Sequence, residues 1–293
     1  MKGKRSLVII RIWEGLGNQM FQYAYARSLK AKGIDVYLDL NKSFEEILKK
    51  NKSDTIRINS IQNFNISIPS IDLYKYGKYN YLIRNTILDK IIFWCASHFL
   101  WKYKILLEEE PIFYPQKRNL IGNWYIKGWF QDERYFKEIR TTLIKEFTPL
   151  KKIKSSKNLR SAIESAESVS LHIRRGDYVK LNYSLNLAYY KKAINYIKNL
   201  YRKPVFLIFS DDLEWVKQNF VIEEDAIYIN ENKELQDYEE LLIMSKCKSN
   251  IISNSTFSWW GAWLNQNPNK IVIAPNKWLK LQKNIIPKEW VIM

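Results

Sequence analysis

The amino-terminal part of the chain, up to Leu40, constrains the fold more than any other segment. Residues 7–13 form an apolar run of strand length, and a glycine-containing turn follows them. Apolar residues then recur at helical spacing over residues 21–29, and Gly33 is a typical helix stop. Residues 35–40 again have the pattern of a strand. Strand, helix and strand in this order predict a βαβ unit, and hence a parallel sheet covered by helices.

A second alternating series begins after a Lys- and Ser-rich stretch at residues 151–157. Two α/β series in one chain favour two Rossmann-like domains that face each other across a cleft, residues 1–152 and 153–293. Residues 41–120 are less regular and support no assignment. The pattern predicts strands at residues 169–173, 205–209, 250–252 and 271–274, and helices at residues 187–200 and 235–247. Ligands of such sheets bind beyond the carboxyl ends of the strands, so we expect the chemistry directly after each strand.

Composition excludes several classes of protein. The chain has 293 residues, of which 46% are hydrophobic and 15% aromatic, which is too much apolar material for a disordered or fibrous chain. Cys95 and Cys247 lie far apart and form no CxxC pair, so neither a disulfide framework nor a zinc site is indicated. A reducing cytoplasm fits best. Arg11 interrupts the first apolar run, which predicts a first strand rather than a signal peptide.

The formal net charge of +17 ranks partners poorly, because a basic surface attracts polyanions of any kind. The lysines are scattered and form no long run, so we expect no nucleic-acid partner. The charge also suits a nucleotide diphosphate and an anionic membrane, and we expect a cytoplasmic protein that can contact the inner membrane face peripherally. Residues 91–100 are strongly apolar but too short for a span of about 20 residues. A buried helix is the favoured interpretation there, and an interfacial aromatic anchor is the alternative.

The turn after the first predicted strand is rich in glycine and amides. Gly15 and Gly17 let the backbone approach a ligand closely, and Asn18 and Gln19 are expected to open the helix with their amide side chains. A helix N-terminus also binds anions and hydroxyl groups. The same composition is ordinary in a strand-to-helix turn and does not match GxGxxG. A structural and a ligand-binding role therefore fit this turn equally well.

Two arginines follow the strand predicted at residues 169–173. Strand alternation places His172 and Arg174 on one face and Arg175 on the other. We therefore expect one arginine to be free for a ligand while the other pairs with Asp177. A guanidinium group suits a pyrophosphate, because it donates two parallel hydrogen bonds and stays charged. A structural Arg–Asp pair at the surface is the alternative.

Adjacent carboxylates, Asp211 and Asp212, follow the strand predicted at residues 205–209. Neighbouring side chains on an extended chain diverge, and no nearby Asp-x-Asp completes an oxygen-rich shell, so no magnesium site is predicted. We expect one carboxylate to cap a helix and the other to contact a ligand or a loop.

A hydroxyl-rich segment follows the strand predicted at residues 250–252. Hydroxyl groups and backbone amides at a helix start can hold phosphate without a cation. The tryptophans just after them are expected to lie in the core, with a sugar-facing role as the alternative. The candidate binding residues are Asn254, Ser255, Thr256, Phe257 and Ser258.

Taken together, these motifs resemble those of the bacterial α-1,2-fucosyltransferases of glycosyltransferase family 11. The matching segments are residues 15–24 (GLGNQMFQYA), 172–178 (HIRRGDY), 209–212 (FSDD) and 253–262 (SNSTFSWWGA). Residues 128–136 (GWFQDERYF) are also similar to that family's GYFQSEKYF segment. The segments occur in order in both halves of the chain, and the set is far more specific than any one member.

The resemblance implies a GT-B-type fold, with the acceptor on the side of the first domain and the nucleotide sugar in the second. It implies inverting transfer of L-fucose from a GDP-β-L-fucose donor to the 2-hydroxyl of a galactose-terminated glycan. It also implies that neither a metal nor another cofactor is required. A different linkage or another GDP-sugar is the alternative.

The resemblance also implies roles for single residues. It places Arg174 on the β-phosphate, Ser255 and Thr256 on the diphosphate, and His172 and Asp237 near the guanosine. With Arg174 on the phosphate, strand alternation is expected to turn Arg175 toward Asp177 or the protein interior. Asp237 matches only by its position at the start of the predicted helix, where an acidic side chain also complements the helix dipole. The remaining candidate substrate-binding residues are Gly17, Gln19, Arg175, Asp177, Asp211, Asn254, Phe257 and Ser258.

Two residues of the first turn are implied at the sugar end of the donor. Asn18 is placed near the fucose. Glu14 departs from the family pattern, which has a second glycine before the Gly15 position. A carboxylate there is a candidate for the base that an inverting transfer needs, and a side chain directed away from the site is the favoured alternative.

Overall fold

The computed structural model describes residues 6–40, 59–71, 104–107, 120–153, 156–165, 167–222, 225–278 and 285–293. The chain divides into two compact units, Met1–Thr148 and Pro149–Met293. Each unit has an α/β fold with a parallel sheet, which confirms the predicted fold class. The boundary expected from sequence, after residue 152, lies within four residues of this division.

The sheet of the first unit is parallel throughout its described strands. β1 is its central strand, with β2 and β5 as neighbours, and the strand order is β3-β2-β1-β5-β4. Val8 and Ile10 on one face of β1 and Ile9 on the other are all buried, as expected for a strand that is covered on both faces. The strands are β1 Leu7–Arg11, β2 Asp35–Asp39, β3 Ser70–Ile71, β4 Lys104–Leu107 and β5 Asn123–Lys127. The predicted βαβ unit is confirmed.

Helix α1, Leu16–Ala31, connects β1 to β2 and is buried along most of its length. Aromatic side chains from later in the unit cover it, including Phe136 against Phe21 and Phe147 against Tyr23. The helix ends just before Gly33, whose φ of +82° is the left-handed conformation that favours glycine. Among the described residues of this unit, helix α2 covers Arg140–Glu146, and short 3₁₀ turns cover Ser60–Asn63, Glu133–Tyr135 and Lys137–Ile139.

The second unit also contains a parallel sheet, in the strand order β11-β10-β9-β6-β7-β8. β6 lies between β7 and β9, and all six of its residues are buried. The strands are β6 Ser168–Ile173, β7 Val205–Ser210, β8 Ala226–Tyr228, β9 Ser249–Ile251, β10 Val272–Ala274 and β11 Val291–Ile292. The four strands predicted in this half are confirmed to within one residue at each end.

The helices of the second unit cover its sheet. The predicted helix at residues 187–200 is confirmed with the same bounds. The helix predicted at residues 235–247 begins two residues later, because Gln236 and Glu239 form a capping box that fixes its start. The helices are α3 Lys157–Glu164, α4 Gly176–Lys180, α5 Leu187–Leu200, α6 Leu213–Asn219, α7 Asp237–Lys246 and α8 Thr256–Leu264.

Buried amides fix the position of β9 and α8 in the second unit. The side-chain amide of Asn250 donates to Ser170 Oγ at 2.7 Å and to the carbonyl oxygen of Met244 at 2.8 Å. Asn265 donates to Asn250 Oδ1 at 2.8 Å. Asn250 is fully buried, so this network satisfies polar groups that would otherwise be costly, and it joins β6, α7 and β9 beneath the segment that leads into α8.

The tryptophans of α8 lie in the core, as expected, because Trp259, Trp260 and Trp263 are at most 2% exposed. Across the parts of the chain that the structure describes, no helix is both long enough and apolar enough to cross a membrane. Residues 91–100, for which the sequence favours a buried helix, lie outside the described residues.

Candidate active site

Arg174 lies where three parallel strands of the second unit end side by side. β6 is flanked by β7 and β9, so the residues that follow these strands meet at one edge of the sheet. Arg174 Nη2 contacts Asp177 Oδ1 at 2.7 Å, and Nη1 contacts Asp211 Oδ2 at 3.0 Å. Its Nε is buried and has no hydrogen-bond partner within the described ranges. The guanidinium is therefore held in place at the sheet edge while one donor remains unsatisfied.

The expected pairing of Arg175 with Asp177 was wrong, whereas its expected turn toward the protein interior agrees with a side chain that is 16% exposed. Arg175 Nε pairs with Asp212 Oδ2 at 3.1 Å, and its guanidinium lies 3.2 Å from the centre of the Trp215 ring. Asp177 instead pairs with Arg174. Strand alternation ends at Ile173, since Arg175 leaves the extended conformation with φ −131° and ψ −75° at the start of α4. The two arginines therefore have separate acidic partners.

Asp211 and Asp212 divide their functions as the sequence predicted. Asp212 caps α6 by accepting a hydrogen bond from the backbone N–H of Trp215. Asp211 contacts a loop, because its Oδ1 accepts from the backbone N–H of Arg175 at 2.8 Å. A Cβ atom at Gly176 would lie 2.4 Å from Asp211 Oδ2. The sequence analysis gave Gly176 no function, and the structure shows that it makes room for this carboxylate.

His172 is buried and connects β6 to the segment after β9. Its Nδ1 lies 3.1 Å from Ser253 Oγ, and its ring contacts Phe257. Burial, and to a smaller degree the Arg174 guanidinium, lowers the pKa of His172 to about 3. The imidazole is therefore neutral at any physiological pH and acts as a hydrogen-bonding group rather than as a cation.

Ser255 caps α8, and its hydroxyl accepts a hydrogen bond from the backbone N–H of Phe257 at 3.3 Å. Thr256 is the first residue of the helix and is partly exposed, whereas Ser258 is buried and donates to the Ser255 carbonyl at 3.4 Å. The predicted arrangement of hydroxyl groups at a helix start is confirmed. The partial positive charge of the helix N-terminus adds to their affinity for anions.

Asn254 connects this helix start to the Arg174 loop. Its side-chain amide donates to the Tyr183 carbonyl at 2.9 Å, and its own carbonyl oxygen accepts from the Tyr178 hydroxyl at 3.3 Å. Its Oδ1 is buried and has no partner among the described residues. The segments that follow β6 and β9 thus form one connected surface, with an unsatisfied donor on Arg174 and an unsatisfied acceptor on Asn254.

Asp237 lies in the first turn of α7, where its carboxylate accepts from the backbone N–H of Tyr238 at 2.8 Å. One turn further, Glu240 is a residue that the sequence analysis did not identify. Burial raises the pKa of Glu240 to about 7, and the charges of Asp237 and Asp211 act in the same direction. Its position three residues after Asp237, on the same helix face, is the sequence signal that could have identified it.

In the first unit, the expected helix opening by Asn18 and Gln19 was wrong. Gly15 is the N-cap of α1, and both amide residues lie inside the first turn beside the buried Gly17. Gln19 is fully buried, and its side chain donates to the Glu14 carbonyl at 2.7 Å and accepts from the backbone N–H of Ile61 at 3.0 Å. Both ends of this amide are used within the unit, so Gln19 fixes the turn.

Asn18 and Glu14 are the partly exposed polar side chains of this turn. Asn18 Oδ1 accepts from Gln131 Nε2 at 2.7 Å, which fixes the orientation of the Asn18 amide with its N–H₂ end on the other side. Glu14 has a φ of +66°, in the left-handed region where the family's glycine is unstrained. The departure from the family pattern therefore falls on a backbone position that favours glycine.

Parallel α/β sheets with hydrogen-bonding groups and a helix N-terminus beyond the carboxyl ends of their strands define the class of α/β proteins that bind ligands at this edge. The model of Glycosyl transferase family 11 matches residues 1–293, and the chain belongs to this family. It is therefore a glycosyltransferase, as the sequence motifs predicted.

Two relatives from Escherichia coli are each 33% identical to the chain. The O-antigen biosynthesis glycosyltransferase WbnK matches 90% of this chain and 92% of its own length. The alpha-1,2-colitosyltransferase matches 98% of both. Among solved structures, the fucosyltransferase NodZ from Bradyrhizobium is similar with a TM-score of 0.47 and 15% identity, over 88% of this chain and 91% of that one.

The depressed pKa of His172 predicts a pH-dependent stability. Because the unfolded imidazole binds a proton below its usual pKa of 6.5 and the folded one does not until about 3, stability is lost as pH falls through this window. The loss is about 1.4 kcal/mol per pH unit. His172→Gln keeps a polar partner for Ser253 and cannot titrate, so its stability should fall less steeply. Urea unfolding of the ligand-free wild type and variant at pH 7, 6 and 5 measures how the free energy of unfolding of each depends on pH. The same pH dependence in both proteins would contradict a depressed pKa of His172.

Proposed function

We propose that the protein transfers L-fucose from GDP-β-L-fucose to the 2-hydroxyl of a terminal galactoside, with inversion at the fucose carbon. The observation that carries the proposal is the Arg174 guanidinium at the end of β6, next to the hydroxyl-capped start of α8. A diphosphate presents paired oxygens to which a guanidinium donates two parallel hydrogen bonds. Membership of family 11 and the O-antigen function of the relative WbnK support a surface polysaccharide as the acceptor.

Catalysis in this proposal is mainly electrostatic. As the bond between fucose and GDP breaks, negative charge grows on the leaving diphosphate, and preorganised donors at that position stabilise the transition state more than the ground state. Arg174, Ser255 and the N-terminus of α8 supply these donors. Asp177, whose side chain is 38% exposed, is the carboxylate that a diphosphate would replace on Arg174, while Asp211 holds the guanidinium from the other side.

Glu14 is our candidate for the base that removes the proton from the acceptor hydroxyl. A non-glycine residue in the left-handed region costs on the order of 1 kcal/mol, and such strain is concentrated at functional positions. Gln19 holds the Glu14 carbonyl and so keeps the residue in this conformation. Burial and the charge of Arg11 lower the pKa of Lys127, and the Glu14 charge acts against this lowering, which places Glu14 and Lys127 in one electrostatic environment.

A second candidate donor follows from a relative. The alpha-1,2-colitosyltransferase is as similar to this chain as WbnK is and matches 98% of both chains. Colitose is fucose without its 3-hydroxyl group, so both donors place the same diphosphate on Arg174. A site that hydrogen-bonds the 3-hydroxyl rejects the deoxy sugar strongly, whereas an apolar site discriminates weakly.

Donor specificity is tested directly with purified protein. Thermal-shift titration with GDP, ADP and UDP measures the nucleotide preference, because a ligand of the native state raises its stability. We expect a shift with GDP at concentrations where ADP and UDP give none. Transfer assays with GDP-fucose and GDP-colitose then assign the sugar. A preference for GDP-colitose would replace fucose in the proposal, and the absence of a GDP-dependent shift would contradict the GDP donor itself.

Arg174→Lys keeps the positive charge but loses the two parallel hydrogen bonds. We expect turnover to fall by roughly 10²-fold or more, the scale found when one preorganised donor is lost, with the fold intact. Arg175→Lys is the matched control, because Arg175 is paired with Asp212 and stacked on Trp215; its cost should be in stability. Steady-state kinetics with thermal unfolding of both variants checks this. If Arg174→Lys retains nearly full activity, the phosphate position is wrong.

Activity should survive thorough chelation. The proposed phosphate partners are a guanidinium, hydroxyl groups and backbone amides, and the carboxylates of Asp211 and Asp212 are engaged by the two arginines. Transfer assays before and after treatment with EDTA measure the requirement. Loss of turnover that magnesium or manganese restores would contradict this prediction and make the two aspartates metal ligands.

Glu14→Gln removes basicity and keeps size and shape. If Glu14 is the base, turnover should fall by roughly 10²-fold or more while the affinity for GDP changes little. Glu14→Gly is the companion variant, since it also removes the carboxylate but relieves the left-handed strain and should be no less stable than the wild type. Single-turnover kinetics and thermal unfolding separate the effects. Near-normal turnover of Glu14→Gln would return Glu14 to a structural role.

A further inference from the structure

The chain leaves β1 and β5, which are neighbouring strands of the first unit, with the same backbone pattern. β1 and β5 are parallel, and their register pairs Ile10 with Ile126. At the same offset, Trp13 corresponds to Trp129 and Glu14 corresponds to Phe130. The rings of the two tryptophans contact each other, with centres 4.4 Å apart and planes inclined at 51°. Each tryptophan is followed by a non-glycine residue with positive φ, +66° at Glu14 and +50° at Phe130.

Both left-handed residues are held by their surroundings. The Gln19 side chain donates a hydrogen bond to the Glu14 carbonyl at 2.7 Å and so holds Glu14 in its left-handed conformation. The Phe130 ring is stacked on Tyr25, with centres 3.9 Å apart and planes inclined at 10°. Strain that the surrounding structure enforces at two adjacent strand ends is typical of a functional position. Trp13 and Trp129, which directly precede these two residues, meet at the carboxyl edge of the sheet.

The groups around the two indoles combine an apolar surface with several hydrogen-bonding groups. Both tryptophans are partly exposed, and Lys127 Nζ lies 4.5 Å from the centre of the Trp13 ring. Within the described residues, Trp13 Nε1 and Gln131 Oε1 are buried and unpartnered. Gln131 is 5% exposed, and its other amide end is bound to Asn18. Unsatisfied buried groups of this kind require an explanation, and a polar ligand supplies one.

This combination fits a sugar ring better than a phosphate or a nucleobase. A pyranose presents a face of C–H groups that packs on an indole, and a rim of hydroxyl groups that needs both donors and acceptors. Trp13 and Lys127 supply donors, while Gln131 and Glu14 supply acceptors. The phosphate-binding groups belong to the other unit, where Arg174 and Ser255 lie.

We propose that the Trp13–Trp129 pair is the binding platform for the terminal sugar of the acceptor, with Lys127 and Gln131 as its polar partners. The inference rests on the proposed function, because it assigns the acceptor to a site beside the candidate base. Lys127, whose Nζ lies over the Trp13 ring, is also close enough to Glu14 for the carboxylate to act on its pKa, so the platform and the candidate base share one electrostatic environment.

Trp124 offers a matched control within the same strand. It lies near the amino end of β5, is partly exposed, and has Lys104 Nζ 5.4 Å from its ring centre. Its Nε1 already donates to the Ile121 carbonyl at 3.3 Å. Ligands of parallel sheets bind at the carboxyl ends of the strands, so this second tryptophan–lysine contact is expected to have no function in binding.

The experiment compares Trp129→Ala with Trp124→Ala. Saturation-transfer NMR with lactose, in the absence of donor, measures sugar binding directly, and steady-state kinetics measures KM for lactose and for the GDP-sugar. We expect Trp129→Ala to weaken lactose binding and raise its KM by about tenfold or more, the equivalent of one well-packed aromatic contact. The GDP-dependent thermal shift and the donor KM should change by less than about twofold. Trp124→Ala should change none of these quantities.

The outcomes separate this proposal from the proposed function. Unchanged lactose binding in a folded Trp129→Ala would overturn the platform, and so would a raised donor KM with unchanged acceptor KM, which would assign the indoles to the donor sugar. A wild-type protein that binds lactose through Trp129 but gives no GDP shift would instead contradict only the proposed donor. If Trp129→Ala does not fold, Trp129→Leu tests the aromatic contact while leaving a smaller cavity, and Gln131→Leu tests the polar partner at nearly unchanged side-chain volume.

Discussion

The carboxylate of Asp211 is the contact on which the arrangement of the second unit's strand ends depends. It follows β7, binds the Arg174 guanidinium, and accepts a hydrogen bond from the backbone N–H of Arg175. One side chain thereby fixes both the direction of the arginine and the path of the chain as it leaves β6. The close approach is possible because Gly176 has no Cβ atom. Within the Arg-Arg-Gly-Asp run, Gly176 thus makes room for the Asp211 carboxylate, which orients Arg174.

Many of the family motif residues position other residues rather than face solvent. Gln19 holds the Glu14 turn, and His172 joins the segments after β6 and β9. Outside the motifs, the buried Asn250 links β9 to β6 and to α7. Neutral groups are suited to this work, since a buried charge would require a partner of its own. Fewer motif residues, among them Arg174 and Asn18, retain groups that can still meet a ligand.

The sequence predicted the fold well because hydrophobic periodicity reports burial directly, and buried strands such as β6 and the helix Leu187–Leu200 were found close to their observed bounds. It also identified the segments that meet at the sheet edge. The directions of single side chains were harder to predict from the sequence. Asp177 was assigned to Arg175 rather than to Arg174 because strand alternation ends at Ile173. Asn18 was expected to open a helix that Gly15 caps. The left-handed backbone at Glu14 and Phe130, and the contact between Trp13 and Trp129, depend on tertiary packing that no local pattern encodes.

The paired carboxylates on Arg174 have a consequence for selectivity in a phosphate-rich solution. A free inorganic anion that approaches this arginine must compete with Asp177 and Asp211, which are tethered within hydrogen-bond distance and so act at a high effective concentration. A small anion gains nothing else at the site. A larger ligand that is also held by other contacts can displace a carboxylate from Arg174, because those contacts offset the lost ion pair. The ion pairs of Arg174 therefore disfavour the binding of simple inorganic anions at this position of a strongly basic protein.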